Sequence, residues 1–217
     1  MRAVLLALAL TLTACDDSST PVVAPVEQPV VVEPQGMELV SHRGIDAPDN
    51  TIEGFTNALN FGFTSIEMDL RMHNGVVVLA HDKTIDGVVY ETLEDTLLFV
   101  SNADVKVWLE AKETAVITPV IEMLEQYNLD VVFMSGNKHD VDLIKELSDL
   151  ETGRIVGSAT AISTVEADWI VIRHTLVLDN YDDIKHFKIA AWTFRTQQEF
   201  DDVKDYIDAA ISDVQLF

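Results

Sequence analysis

Between Met37 and Phe217, short β-branched or apolar runs alternate with helix-patterned stretches, which restricts the chain to repeated βα units around a parallel sheet. Strands are predicted over 37–41, 64–70, 76–80, 105–112, 130–134, 153–157, 168–173, 188–193 and 208–212, with helices over 51–61, 92–100, 114–127, 138–149, 160–166, 180–186 and 196–206. If 76–80 is an extra strand following the second, eight main strands remain. Eight parallel strands predict an α/β fold, a (β/α)8 TIM barrel. Such barrels typically take ~250 residues, so this one is compact. Only Val214–Phe217 follows the last strand, which leaves no room for a normal eighth helix.

The chain ahead of the barrel reads differently. Met1–Arg2 is a short positive start, Ala3 to Leu12 is apolar, and Leu12-Thr13-Ala14-Cys15 has the form of a lipobox, so 1–14 is expected to be a lipoprotein signal peptide. The apolar run is shorter than the ~20 residues that span a bilayer. Cys15, the chain's single cysteine, becomes the lipidated residue under this reading, leaving neither a disulfide nor a thiol nucleophile. Residues 16–36 hold four of the six prolines and no helical period, so 15–36 is a lipidated Cys followed by an extended Pro-rich tether. Asp16 and Asp17 resemble an inner-membrane retention signal. The expected location is the bacterial cell envelope, periplasm-facing, at the inner membrane.

With 37 acidic and 14 basic residues the formal net charge is -23, which argues against nucleic acid and against broad docking on anionic lipid. An anionic substrate would need a local positive site.

In a barrel, chemistry collects at the C-terminal ends of strands. His42 and Arg43 follow the first strand, and His81 follows Val76 to Ala80. Glu67 and Asp69 lie two apart on the second strand and so share a face, with Ile66, Met68 and Leu70 on the other. Glu110 and Lys112 repeat this arrangement on the next barrel strand. Inward carboxylates repel and lose hydration unless a cation compensates. The all-oxygen set Glu67, Asp69 and Glu110 favours Mg²⁺ or Ca²⁺ over zinc. Histidine titrates near neutrality, so His42 and His81 suit an acid and base pair. Arg43 and Lys112 suit a phosphate, or equally salt bridges to the nearby acids. His73, His139 and His186 read as structural or exposed, and His174 as a rim residue without a supporting motif.

The run SHRGIDAPDNTIEGFTNALNFGFTSIEMDLRMHNGVVVLAHD resembles the opening of glycerophosphodiester phosphodiesterases, with their His-Arg-Gly, Pro-Glu-Asn-Thr, Glu-x-Asp and His-Asp in order. Glu110-Ala111-Lys112, Ala191-Trp192-Thr193 and Ser212-Asp213 are similar to later motifs of that family. The resemblance implies His42 and His81 as acid and base, Glu67, Asp69 and Glu110 as ligands of a divalent metal, and Arg43 and Lys112 as phosphate contacts. Trp192 would be an apolar wall for the alcohol, or plain barrel packing. The chain departs from the family at Asp49, where Glu is usual, and between Lys83 and Asp104, where the family carries a larger insertion, so a more open pocket is expected. The arginine and threonines usual soon after the second histidine are also missing from KTIDGVVYET.

These readings imply hydrolysis of a glycerophosphodiester to glycerol phosphate and an alcohol such as choline or ethanolamine. A lysophospholipase D-like action on lysophospholipids is a second possibility, and a catalytically silent metal-binding lipoprotein a third. The oligomeric state is not legible.

Overall fold

The computed structural model describes residues 36–103 and 105–217. The expected signal peptide, the lipidated Cys15 and nearly all of the tether lie outside the described residues. Among the described residues, no helix is long and apolar enough to cross a membrane.

Eight parallel strands close on themselves: β1 (Glu38–His42), β2 (Ser65–His73), β4 (Lys106–Ala111), β5 (Val131–Ser135), β6 (Glu151–Val156), β7 (Trp169–Arg173), β8 (Lys188–Phe194) and β9 (Ala209–Ser212). The ring closes because β1 pairs in parallel with both β2 and β9. The short β3 (Val76–Leu79) runs antiparallel to β2, as the predicted extra strand.

Side-chain alternation divides the core in two. Ile66, Met68 and Leu70 of β2 pack outward, in a cluster with Leu97, Val120 and Ile121 of α2 (Leu93–Ser101) and α3 (Ile117–Leu124). Val40, Trp108, Val132, Trp169, Val171, Ala190 and Ile211 fill the interior. The barrel floor is polar: Lys106 Nζ lies 3.4 Å from Glu38 Oε2 and 3.6 Å from Glu151 Oε2, under the rings of Trp108 and Trp169. Paired charges there close the end opposite the chemistry, the end that serves stability in this architecture.

The outer ring is thinner than the sequence predicts. α1 (Ile52–Asn60), α2 and α4 (Lys138–Leu147) fall where expected, each started by a side-chain cap, from Thr51, Thr92 and Asn137, and α3 lies within the predicted 114–127. The predicted helix over 160–166 is instead the 3₁₀ segment Ala159–Thr164. The one over 180–186 shrinks to α5 (Tyr181–Ile184), and the one over 196–206 to α6 (Gln197–Asp201) followed by a 3₁₀ turn. Each offers little apolar surface to the barrel, with only Ile162, Ile184 and Phe200 buried respectively, and a short helix lives on packing rather than propensity.

Among the described residues no helix follows β9. The segment after it does the covering: Leu216 is 2% exposed among Leu39, Ala58, Phe63 and Phe200. Its neighbours are pinned, Gln215 Nε2 donating to the Phe61 carbonyl and Phe217 N to Gln197 Oε1, both at 2.8 Å.

Candidate active site

The inward register places the polar groups at one rim. His42, Arg43, Glu67, His81, Glu110 and Lys112 all line one cavity of about 350 Å³, and Trp192 and Arg195 close its far side. Asp69 lies beneath, fully buried. Every site residue predicted for catalysis, metal or phosphate is therefore in or directly under this cavity.

The turn after β1 is built to hold His42 and Arg43. Arg43, Gly44 and Asn50 all have left-handed backbone (φ 61°, 94° and 59°). At Gly44 a Cβ would stand 2.8 Å from the backbone of Gly54 in α1, so glycine alone permits that approach. The turn's amide at Arg43 donates to the Glu67 carbonyl and to Glu67 Oε2. Asn50, buried at 4% exposure, brackets the next carboxylate: its Nδ2 donates to Asp69 Oδ2 at 2.9 Å and its Oδ1 accepts from Asp69 N at 3.0 Å.

Glu67, Asp69 and Glu110 each bring one carboxylate oxygen within 4.8 Å of the others. Burial pushes the Glu67 carboxyl well above its usual pKa, and the charges of Asp69 and Glu110 push it further. Burial also raises Glu110, against the pull of Lys112. Burial acts the same way on Asp69, yet Arg43, Asn50 and Lys112 outweigh it and hold Asp69 below the ordinary value. Buried Glu67 Oε1 and Asp69 Oδ1 have no hydrogen-bond donor. A hard divalent cation fits these orphaned oxygens, because it replaces the proton that burial would otherwise force onto Glu67.

The cations stand at the edge of the triad. Arg43 Nε is 2.8 Å from Asp69 Oδ2, and Lys112 Nζ is 2.8 Å from Glu110 Oε1 and 3.5 Å from Asp69 Oδ1. Burial opposes the Arg43 charge, but Asp69, Glu67 and Asp49 hold its pKa above normal.

Three supporting residues carry no assigned role in the sequence reading, although Asn50 and Asp213 lie in motifs noted there. Asp213, just after β9, accepts from His42 Nδ1 at 2.5 Å and from Arg195 Nε at 3.0 Å. A carboxylate on Nδ1 fixes the imidazole tautomer and leaves Nε2 for the cavity. Asn50 is the second. The third is Arg71, whose Nε and Nη2 both donate to the His81 carbonyl, at 3.0 and 2.8 Å, tying the end of β3 to β2. A usable signal was strand parity, since Asp213 is two beyond the inward Ile211. His174 packs on Phe194 and does not line the cavity.

Residues 42–105 match the model of the "Glycerophosphoryl diester phosphodiesterase family". No curated protein matches the chain in sequence. Among solved structures, the barrel is similar to the glycerophosphodiester phosphodiesterase of Thermotoga maritima, with TM-score 0.72 and 19% identity over 82% of this chain and 94% of that one. An Oleispira antarctica phosphodiesterase in complex with the product sn-glycerol-3-phosphate gives TM-score 0.73 and 21% identity over 82% and 93%. The glycerophosphodiester phosphodiesterase from Agrobacterium tumefaciens gives 0.65 and 17% over 82% and 95%. The chain shares the barrel fold of these structures. Only residues 80–92, α2 and the segment from α2 to β4 separate β3 from β4, and His81, which follows β3, is 42% exposed at its side chain.

Proposed function

We propose that the protein hydrolyses glycerophosphodiesters to glycerol phosphate and an alcohol, with His42 and His81 sharing the proton transfers. The observation that carries this reading is the convergence of two strand-end histidines on a cavity lined by Glu67 and Glu110 with Asp69 beneath, Glu67 and Asp69 being buried and Glu110 partly so. Glu67, Asp69 and Glu110 would hold the divalent ion, which supplies charge stabilisation to a phosphoryl oxygen.

The protein's own groups divide the remaining work. Arg43 and Lys112 add donors against the negative charge that grows at phosphorus. One histidine takes the proton of the attacking hydroxyl, from water or from a neighbouring substrate hydroxyl. The other delivers a proton to the departing alkoxide, so no strongly basic group has to leave unprotonated. Asp213 holds the His42 ring in one tautomer through Nδ1 while the proton moves at Nε2.

Phosphorus NMR of the products of glycerophosphoglycerol tests this. Glycerol phosphate as the phosphorus-bearing product is the expected result. Inorganic phosphate, or an unchanged diester, contradicts it.

One observation favours a second reading, a lysophospholipase D-like action. The segment after His81, itself a lining residue of the cavity, exposes Ile85, Val88 and Val89, the last at 95%. An acyl chain would find apolar surface there. A Cys15 lipid anchor and Pro-rich tether would keep this mouth beside a periplasm-facing membrane. Faster turnover of a lysophospholipid than of the matching deacylated diester supports this second reading, and the reverse order supports the first.

A further inference from the structure

We propose that the space above Trp192 binds a negatively charged substituent of the substrate, a second phosphate or a carboxylate, and disfavours cationic alcohols. This rests on the phosphodiesterase reading above for its catalytic consequence, and on separate side chains for its binding consequence.

Arg173 ends β7 directly beside Trp192 of β8, its register partner. It follows Val171 by two, so it belongs to the inward set by parity; it does not itself line the cavity, and borders it through Trp192, which does. Its guanidinium carbon lies 5.4 Å from the centroid of the Trp192 ring. That ring is itself fixed, its Nε1 donating to the Val171 carbonyl at 3.0 Å.

Arg173 differs from the other arginines near the mouth. Arg43, Arg71 and Arg195 each have a carboxylate within ion-pair distance, namely Asp69, Glu113 and Asp213, and Arg154, which has none among the described residues, donates to the Ser135, Gly136 and Ile155 carbonyls. Among the described residues no carboxylate lies that close to Arg173, which is exposed. In a chain with 37 acidic residues against 14 basic ones, Arg173 stands beside the cavity with neither an acid nor a carbonyl on its donors among the described residues. A guanidinium stacked on an aromatic ring keeps its in-plane donors free for a planar or tetrahedral anion.

The same sector offers a cation nothing. The cavity residues from β5 through β8 include Met134, Ile155, Val171, Trp192 and Thr193 but no carboxylate, both lining acids being on β2 and β4. A quaternary ammonium recognised by an aromatic ring needs an open ring face. Here the face toward β7 is taken by Arg173, and the approaching charge would be repelled. Choline and ethanolamine, the alcohols expected from the resemblance, are therefore poor fits for this sector.

The test compares the wild-type protein with Arg173→Ala and Arg173→Lys on three diesters sharing a glycerophospho group: glycerophosphocholine, glycerophosphoglycerol and glycerophosphoinositol 4-phosphate. The expected order of kcat/KM is anionic above neutral above cationic. Arg173→Ala should shrink the ratio of anionic to cationic by about fivefold, the upper end for an exposed ion pair, with Arg173→Lys intermediate. An unchanged ratio in a folded Arg173→Ala overturns the proposal. Calorimetric binding of propane-1,3-diyl bisphosphate against propyl phosphate needs no turnover. Tighter bisphosphate binding that Arg173→Ala abolishes upholds the anion subsite even if no diester is cleaved, in which case the phosphodiesterase reading alone fails. Equal affinity for the two phosphates overturns the subsite.

Discussion

His42 Nδ1 lies 2.5 Å from Asp213 Oδ1, so a residue at the end of β1 is oriented by one 171 positions later, just past β9. The contact exists because β9 closes the barrel against β1. It makes Asp213 a positioning residue for His42. Asp213→Asn keeps the shape but offers His42 an amide in place of an anion, and kcat should fall about 10²-fold with KM little changed. Steady-state kinetics on glycerophosphoglycerol read this directly, and a fall in KM-linked binding alone would remove Asp213 from the role.

Asp213 also ties stability to pH. Burial pushes its pKa up, but the hydrogen bonds from His42 and Arg195 outweigh burial and leave it below the usual carboxylate value. A carboxyl with a depressed folded pKa contributes stability that is present above its unfolded pKa, about 3.9, and is lost as pH falls through the folded value. Denaturation from pH 6 down to pH 2 should therefore show a smaller acid loss in Asp213→Asn than in the wild type. Parallel curves would mean that the carboxylate contributes no such linkage.

Arg71 should act on His81 without touching the substrate. Its two donors hold the His81 carbonyl at 3.0 and 2.8 Å, and no buried carboxylate fixes that ring, since its Nδ1 partner Asp82 is almost fully exposed. Arg71→Leu is expected to lower kcat by about tenfold and Arg71→Lys by less, following the usual cost of a displaced catalytic group. Equal KM values across the three proteins separate positioning from binding. A wild-type kcat in Arg71→Leu would show that β3 places His81 unaided.

The triad makes a thermal prediction independent of turnover. At a free-ion concentration 100 times its Kd, a cation bound only by the folded state adds about 2.7 kcal/mol. For a barrel of this size that raises Tm by roughly 5–10 °C. Glu67→Gln removes the buried carboxyl that strains hardest against its own charge, so most of the Mg²⁺ or Ca²⁺ shift should vanish while the protein stays folded. Equal shifts in both proteins would place the ion elsewhere.

What the sequence revealed, and what it hid, follows from the range of each interaction. Glu67 and Asp69 could be read as inward because strand parity is local, and Ile66, Met68 and Leu70 confirm the opposite face as outward. His42 and His81 could be read as rim residues because each ends an apolar run. The Asp213 contact depends on ring closure, which is not written within a few residues, whereas the Arg71 contact follows from the β2–β3 hairpin turned at Asn74-Gly75, a local signal. Arg173 stacks on Trp192 only because β7 and β8 pair in that register. Helix lengths on the β6 to β9 side were over-read, because the polar segments there bury only one or two side chains each and shrink to short helices or 3₁₀ turns. The cover for the missing eighth helix, Leu216, is a single residue with no periodic signal.

The central claim, a metal-supported phosphodiester hydrolysis using His42, is tested most directly with the whole protein treated with chelator and then assayed on bis(p-nitrophenyl) phosphate and glycerophosphoglycerol, with and without Mg²⁺ or Ca²⁺, beside His42→Ala. The expected result is turnover restored by the added ion and lowered at least about 10²-fold in His42→Ala. Equal rates in the two proteins, or no turnover in a folded protein that binds the ion, would contradict it.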